Sequence, residues 1–275
     1  MMTTHLTPSL TLLKGCKLQT PHGMLNREGG NSPPPFASMN LSYGVGDRPD
    51  NVAANRQLVK QALGATFLVS AGQVHGDRIF CVEETDQDME VQGYDALMTN
   101  RSGIGLLIQQ ADCQAVLLHD PDRNAVAAIH CGWRGNVCNI IATVVERMRR
   151  EYRSDPRSLH ALISPSLGPC CAEFKDFTNE FPPELHCFQD RPHYFDLWRL
   201  SAVQLTGAGV ITEHIEIMGI CTACSPEYFS YRRSRRKGLP ATGRNGSAIL
   251  LQRKETLSAE QLSGIHPESG RDERA

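Results

Sequence analysis

Short apolar runs alternate with stretches of helical spacing along most of the chain. Six compact apolar runs, each bounded by polar or turn-forming residues, are predicted strands: 66–70, 104–108, 115–118, 125–129, 159–163 and 214–218. Five apolar residues recur on one face of a predicted helix: Ile140, Ile141, Val144, Val145 and Met148. A further helix is predicted near residues 196–206. The pattern thus predicts strands interleaved with helices.

Two local signals add detail to this pattern. The turn-rich segment 120–124 joins two predicted strands, so these strands form a hairpin. Asp50 is a predicted N-cap for a helix over 51–63. Its apolar face is expected to comprise Val52, Val59, Ala62 and Leu63. Hairpins together with helical crossovers favour an α+β layered fold over a purely parallel sheet.

The domain organisation predicted from the sequence is one folded unit with two tails. Residues 1–21 are interpreted as an N-terminal extension and residues 22–253 as a single domain. The polar segment 254–275 has little apolar surface to bury and is predicted to be disordered. No internal repeat is visible.

Charge and cysteine usage narrow the function classes. With 28 basic and 30 acidic side chains, the chain has no charge excess suited to nucleic acid. The basic run 232–237 is interpreted as a solvated loop. The first thirty residues lack a signal peptide or membrane span, so we expect a cytoplasmic protein without membrane partners. Ten irregularly spaced cysteines then favour reduced thiols and metal ligation over disulfides.

Three segments place metal-ligand residue types beside tight turns. They contain His75, Cys113 and His130, which are far apart in the sequence. Two imidazoles and one thiolate suit zinc or copper rather than magnesium or calcium, and three ligands leave one position open for chemistry. The alternative is that each is a packed, hydrogen-bonded residue at a strand end. If they converge, they do so only in the folded chain.

Two other motifs carry possible chemistry. The segment Gly132–Trp133–Arg134–Gly135 follows a strand and begins a helix, so it either binds an anion or is a simple turn with Arg134 paired to a surface carboxylate. Cys221 and Cys224 form a Cys-x-x-Cys, and Cys170–Cys171 are adjacent. These four suit a structural zinc or a redox dithiol, but without a second Cys-x-x-Cys we interpret them as buried structural thiols.

The motifs around these residues strongly resemble the bacterial laccase-domain family. The resemblance covers about residues 22–251 and includes Gln-Val-His, Ala-Asp-Cys and His-x-Gly-Trp-Arg-Gly in order. This family is also called multicopper polyphenol oxidases or peptidoglycan-editing factors, and its members are described as purine nucleoside phosphorylases with adenosine deaminase activity. It implies a four-layer α/β/β/α sandwich of two mixed sheets, similar to a group of cysteine-hydrolase-like proteins.

The resemblance also implies site residues and ligands. It implies that His75, Cys113 and His130 bind the metal, zinc or alternatively Cu²⁺, and take part in catalysis. The expected substrates are adenosine, inosine or methylthioadenosine together with phosphate. Cys131 replaces an alanine common in relatives, but strand alternation should turn it away from the side occupied by His130.

Further roles are hypotheses motivated by these motifs. Arg56 and Arg134 are the candidates for phosphate binding, with Asn40 and Ser42 as polar partners. Asp112, beside Cys113, either moves protons in catalysis or orients the ligand. Arg232 and Arg233 are either a third phosphate contact or part of a surface loop. The sequence makes no prediction of oligomeric state.

Three rival functions remain open at this point. A cysteine hydrolase acting on cell-wall precursors would use Cys113 as nucleophile and His130 as base. A copper polyphenol oxidase is disfavoured because the ten histidines include no His-x-His pair. A non-catalytic binding module is disfavoured by three ligands with an open position.

Overall fold

Two six-stranded sheets pack face to face in the computed structural model, which describes residue 10 and residues 12 to 252. The strands are β1 Leu12–Leu13, β2 His22–Leu25, β3 Phe67–Gly72, β4 Ile79–Cys81, β5 Met89–Gln92, β6 Ala96–Thr99, β7 Ile104–Gln110, β8 Gln114–Asp120, β9 Ala125–Cys131, β10 His160–Ile163, β11 Gln189–Arg191, β12 Tyr194–Phe195, β13 Ile215–Ile217 and β14 Asn245–Leu250. The α-helices are α1 Pro49–Leu63, α2 Trp133–Val137, α3 Ile140–Tyr152, α4 Phe177–Glu180, α5 Leu197–Gly207 and α6 Tyr231–Arg236.

Both sheets mix parallel and antiparallel pairs. Sheet I has the order β1-β2-β14-β7-β3-β5, and its parallel pairs are β7-β3 and β3-β5. Sheet II has the order β13-β10-β8-β9-β6-β4, with parallel pairs at its two edges. β11 and β12 form a separate two-stranded ribbon. The chain passes between the two sheets repeatedly from β3 to β8, and the last of these passages joins β7 of sheet I to β8 of sheet II.

The core between the sheets follows from strand alternation. Leu106 and Ile108 of β7 face Leu117 of β8 and Ala128 of β9, and all four are fully buried. The intervening residue Leu107 points to the opposite face of sheet I. Successive side chains of a strand point to opposite faces, so these apolar strands contribute to two cores at once.

Helices cover the outer face of each sheet and complete the predicted four layers. α1 packs on sheet I through Val59 and Leu63. α3 packs on sheet II through the five predicted apolar residues, all of which are buried. Burying each such side chain contributes about 1.5–3 kcal/mol. The α/β/β/α sandwich of two mixed sheets is thereby confirmed.

The hairpin prediction is confirmed in detail. β8 and β9 pair antiparallel from Gln114↔Cys131 to Asp120↔Ala125. The Asp120 carboxylate accepts hydrogen bonds from the backbone N–H groups of Asp122 and Arg123, so these two donors have partners within the turn. Asn124 supplies a left-handed residue, with φ 52°, just before β9 begins.

Helix α1 differs from its prediction in its N-cap and in the residues of its buried face. It begins at Pro49, and Arg48 is the N-cap without a side-chain hydrogen bond, so Asp50 lies inside the first turn. Ala62, which was predicted to be on the buried face, is exposed. Asn55, which was not predicted there, is buried. Asn55 is tolerated there because its amide donates to the Ser32 hydroxyl and to main-chain carbonyls.

Other predicted boundaries also shift. The basic run 232–237 is helix α6 with one residue beyond it, not a loop; the Ser230 side chain caps its start. Part of the predicted N-terminal extension belongs to the fold, because β1 pairs with β2. The tail predicted at 254–275 lies outside the described residues. Among residues 12 to 252, no helix has the length and apolar character needed to cross a bilayer.

Candidate metal centre and substrate pocket

Three separate segments bring the predicted ligands together at one edge of the sandwich. His75 follows β3, Cys113 lies where the chain passes between the sheets, and His130 is near the end of β9. Their ligand atoms all lie within 4.8 Å of one another. Cys113 Sγ is 3.8 Å from His75 Nε2, and the two imidazole rings meet edge to face. His130 is buried and His75 is exposed, so the cluster opens to solvent on one side.

Asp95 organises two of the three ligands. This fully buried residue lies directly before β6. Its carboxylate accepts the backbone N–H groups of Val74, His75 and Gly76, at 2.8–3.2 Å. The same carboxylate lies 2.8 Å from His130 Nδ1. Nδ1 is therefore occupied, and Nε2 is left as the ligand atom, as in carboxylate–histidine–metal arrangements.

The cluster contains one anionic ligand type, the Cys113 thiolate, beside an imidazolium, His130, that must release a proton when a metal binds. Burial opposes ionisation of Cys113, but the charge and hydrogen bonding of His130 and His75 outweigh it and lower the pKa of the thiol to about 6. Burial likewise opposes protonation of His130, but Cys113 and Asp95 raise the pKa of this imidazole. The thiol is thus held as a thiolate, which is the form that binds metals.

The backbone is shaped closely around the ligands. His75 and Asp112 have φ of 61° and 83°, a left-handed conformation that residues other than glycine rarely adopt. A Cβ at Gly132 would lie 3.0 Å from Cys113 Sγ and 3.3 Å from His75 Cδ2, which is tighter than ordinary contact, so a side chain there would press on two of the three predicted ligands. Cys131 points away into the core of sheet II, and burial raises its pKa. This confirms that Cys131 is not part of the cluster.

Asp112 is half-buried at the cavity described below, and both of its carboxylate oxygens accept hydrogen bonds from the polypeptide. One carboxylate oxygen accepts the Thr222 hydroxyl at 2.7 Å. The other accepts the backbone N–H of Arg232, at 2.6 Å, in the first turn of α6. The backbone carbonyl of Asp112 also accepts the N–H of Leu167. This geometry favours the positioning of Cys113 and α6 over proton transfer.

A cavity of about 600 Å³ opens beside the three ligands. This volume is in the range of small-molecule sites. Apolar walls are provided by Trp133, Phe174 and Leu197, and Tyr231 lies at the exposed rim. The Trp133 and Phe174 rings meet at a centroid distance of 6.3 Å. A flat heteroaromatic ligand matches walls of this kind.

Three guanidinium groups face the same cavity. Arg134, the predicted anion residue, is exposed and lies over the Trp133 ring at 4.4 Å. Arg232 lines the wall and donates to the Glu173 carbonyl. Arg244 is half-buried near Cys113; burial lowers its pKa, whereas the charges of Cys113 and Asp112 raise it. Arginine remains charged under such shifts, so three guanidinium charges line the cavity, which also contains Lys175 and the acidic residues Asp112, Glu173, Asp176 and Glu180.

The structure does not bring the other predicted phosphate residues to this cavity. The Arg56 guanidinium is bound to Glu90 at 2.6 Å, to Ser70 and to the Leu41 carbonyl, beside a separate cavity of about 270 Å³. Asn40 is fully buried, and its amide donates to Asp47 and to the Ser42 carbonyl.

Ser42 and Arg233 are also committed to local structure. Ser42 caps a short 3-10 turn at Tyr43–Val45. The Arg233 guanidinium donates to four main-chain carbonyls between residues 222 and 228. Both side chains therefore hold loops in place, and of the two arginines considered as a third phosphate contact only Arg232 lines the cavity.

Two residues at the site were missed by sequence reasoning. Asp95 carried a usable signal, since it is an acidic residue placed directly before the apolar run Ala96–Leu97–Met98. Arg244 gave no such signal, because it lies between a turn and the last strand and reaches the cavity only through the sheet order. Asn40 contributes indirectly, as its side-chain carbonyl accepts the Arg244 N–H.

Fold and site together define a class of protein: an α/β/β/α sandwich with an imidazole–thiolate–imidazole cluster beside a pocket lined by arginine and aromatic side chains. The chain belongs to the multi-copper polyphenol oxidoreductase laccase family, whose model matches residues 21–252. This confirms the resemblance seen in the motifs.

Curated relatives share the match over most of their length. The chain is 32% identical to purine nucleoside phosphorylase YlmD of Geobacillus stearothermophilus, over 78% of this chain and 85% of that protein. It is 30% identical to a purine nucleoside phosphorylase of Bacteroides thetaiotaomicron, over 84% and 92%. Among solved structures, Bacillus licheniformis hypothetical protein YfiH superposes with a TM-score of 0.78 at 31% identity, covering 89% of this chain and 97% of that one.

Proposed function

We propose that this protein is a zinc-dependent purine nucleoside phosphorylase that uses adenosine, inosine or methylthioadenosine and also deaminates adenosine. The observation that carries the proposal is the His75–Cys113–His130 cluster at the side of a cavity that also holds three guanidinium groups. Phosphorolysis needs a site for a purine nucleoside and a site for phosphate in one pocket. The names of the relatives support the same chemistry.

The three side chains fit a zinc ion. Zinc–sulfur and zinc–nitrogen bonds of about 2.3 and 2.0 Å in a tetrahedron imply a sulfur–nitrogen separation of about 3.5 Å. Cys113 Sγ and His75 Nε2 are 3.8 Å apart, so a small adjustment suffices. A bound zinc with one open position supplies Lewis-acid polarisation and activation of water. Copper accepts the same ligand types and is the alternative that metal analysis distinguishes.

The guanidinium groups provide a site for the phosphate nucleophile. Arg244 Nη1 donates to the Thr242 and Gly243 carbonyls, and Arg232 Nη2 donates to the Glu173 carbonyl, so both guanidinium groups are pre-positioned before the anion binds. Charge-assisted hydrogen bonds to phosphate are stronger in such a partly desolvated pocket. They would hold the phosphate oxygen facing C1′ of the ribose while positive charge develops on the sugar.

The aromatic wall provides a site for the purine. Trp133 and Phe174 present ring surfaces beside the metal ligands, so a stacked base would direct its edge toward the cluster. One bound nucleoside would thus serve both reactions, with C1′ toward phosphate for phosphorolysis and C6 toward the cluster for deamination. Asp112 has a positioning role in this proposal, since both its carboxylate oxygens are engaged.

The test is release of free base from purified, zinc-replete protein. Hypoxanthine should appear from inosine only when phosphate is present, with ribose 1-phosphate in equal amount. Ammonia release from adenosine tests the second activity separately. Absence of any base release from all three nucleosides at saturating phosphate would contradict the phosphorylase proposal.

Replacing Arg244 by glutamine should raise the KM for phosphate roughly 10- to 100-fold, because one charge-assisted hydrogen bond contributes about 1.5–3 kcal/mol. The matched control is Arg56→Gln, which removes an ion pair to Glu90 outside the cavity. That control should lower the free energy of unfolding by about 2 kcal/mol and leave the KM for phosphate unchanged. Steady-state kinetics at varied phosphate, with thermal unfolding, separates the two. The reverse pattern would return phosphate binding to Arg56.

A cysteine hydrolase is a second candidate because the Cys113 thiol has a pKa of about 6 beside a protonated His130. A thiolate–imidazolium pair is also the arrangement of cysteine nucleophiles. Alkylation distinguishes the two functions. Zinc bound to Cys113 should slow its reaction with iodoacetamide, whereas a metal-free protein inactivated rapidly at Cys113 favours the hydrolase.

A further inference from the structure

A second group of thiols lies apart from the three ligands described above. Cys170 and Cys171 are in a turn closed by backbone hydrogen bonds from Cys171 and Ala172 to the Gly168 carbonyl. Cys221 and Cys224 are in another turn, closed by bonds from Cys224 and Ser225 to the Cys221 carbonyl. We refer to these four residues as the cysteine cluster.

Sheet topology explains why the two turns meet. They follow β10 and β13, which are parallel neighbours in sheet II. Both segments therefore leave the sheet at the carboxyl ends of these strands. The pairing continues beyond the strands as a parallel bridge between Ser166 and Cys221. Thr222 donates its N–H to the Ser166 carbonyl. The cluster is thus fixed by the fold and not by a chance approach of mobile loops.

The distances within the cluster match a tetrahedral thiolate site. All four sulfur atoms lie within 4.8 Å of one another. Cys224 Sγ is 3.6 Å from Cys170 Sγ and 3.5 Å from Cys171 Sγ. Four sulfurs around one zinc, each at about 2.3 Å, lie about 3.8 Å apart. All four thiols are free, so each is available as a ligand.

One positive charge lies beside the cysteine cluster. Arg236 Nη1 lies 3.8 Å from Cys171 Sγ. A guanidinium in this position favours the thiolate over the thiol, and the thiolate is the form that binds metals.

We propose that Cys170, Cys171, Cys221 and Cys224 bind a structural zinc ion, distinct from the ion held by His75, Cys113 and His130. Four protein ligands complete the tetrahedron and leave no open position for a substrate, which is typical of structural sites. The inference does not rest on the proposed nucleoside chemistry.

The ion would hold the wall of the substrate pocket. Thr222, between the two Cys-x-x-Cys ligands, donates to Asp112, next to Cys113. The carbonyls of Thr222 and Ala223 accept the Arg233 guanidinium of α6. Phe174, three residues after Cys171, lines the cavity. One ion would therefore tie together two turns, α6 and an aromatic wall residue.

Metal counting tests the proposal in the full chain, purified under reducing conditions. Wild type should contain about two zinc ions per chain, Cys113→Ala about one, and Cys170→Ser/Cys224→Ser about one. The double variant replaces only the two exposed thiols, so the buried packing of Cys171 and Cys221 is kept. Cys187→Ser, which removes an exposed thiol outside the cluster, should retain about two ions.

Cobalt supplies a readout that does not depend on folding of the double variant. Co²⁺ added to metal-free Cys113→Ala protein should give the intense thiolate charge-transfer absorption of a four-sulfur tetrahedral site. Zn²⁺ should abolish that absorption and raise the Tm of the same variant. The proposal is overturned if folded, reduced Cys113→Ala protein binds neither ion. It is equally overturned if Cys221 and Cys224 form a reversible disulfide and reduction restores no metal binding, which would indicate a redox dithiol.

Discussion

Replacing Cys113 by alanine should lower phosphorolysis of inosine about 1,000-fold or more and remove one equivalent of metal per chain. The thiolate is the anionic member of the ligand set, and its loss leaves only two imidazoles to bind the ion. Loss of a single stabilising group at a reacting centre already costs about 100- to 1,000-fold, and here the whole ion is lost. Hypoxanthine release and zinc content, measured on the same preparation, check this result.

The matched control for Cys113→Ala is Cys187→Ala, which removes an exposed thiol in the segment Pro183–Phe188. The control should retain wild-type activity and metal. Full phosphorolysis by Cys113→Ala at wild-type zinc content would disprove the role of this cluster. Retained zinc with lost activity would instead indicate that Cys113 acts directly on the substrate.

Asp95→Asn should reduce both zinc affinity and activity by roughly 10- to 100-fold, the usual effect of removing a carboxylate that orients a ligating histidine. The amide also places donor hydrogens toward the backbone N–H groups of His75 and Gly76, which the carboxylate now accepts. The segment carrying His75 should therefore loosen as well. Zinc titration against a chelator of known affinity, alongside kcat/KM, measures the two effects.

Asp86→Asn serves as the control, because Asp86 is an exposed carboxylate in the loop before β5 and is not part of the cluster. It should match wild type in both measurements. Unchanged zinc affinity in Asp95→Asn would show that His130 is oriented by its strand alone. Restoration of activity in that variant by excess zinc would show that affinity, and not ligand geometry, was the main loss.

Long, strongly patterned elements were predictable from the sequence. α3 and the β8-β9 hairpin carry their signals locally, in the spacing of apolar residues and in the turn residues after Asp120. Short strands such as β4 and β5 were missed because they are only half-buried and are defined by pairing with β6 and β3. Pairing between distant segments has no local pattern.

Some residues of the candidate site were predictable from the sequence, and others were not. His75, Cys113 and His130 were recognisable by residue type and motif, and the structure brings them together. Arg56 was a reasonable phosphate candidate by charge, but Glu90, a partner far along the sequence, engages its guanidinium. Arg244 reaches the cavity only because β14 lies beside β7 in sheet I. Residue type is visible in a sequence, whereas the partner that occupies a side chain is not.

The three predicted ligands come from both sheets and from the segment that connects β7 to β8. His75 extends from the end of a sheet I strand, His130 belongs to sheet II, and Cys113 lies on the segment that joins them. Neither half of the sandwich can assemble the three ligands by itself. An ion bound there would cross-link the two sheets. Mutations that change the relative position of the sheets should therefore lower the affinity for the ion, even when they touch none of its ligands.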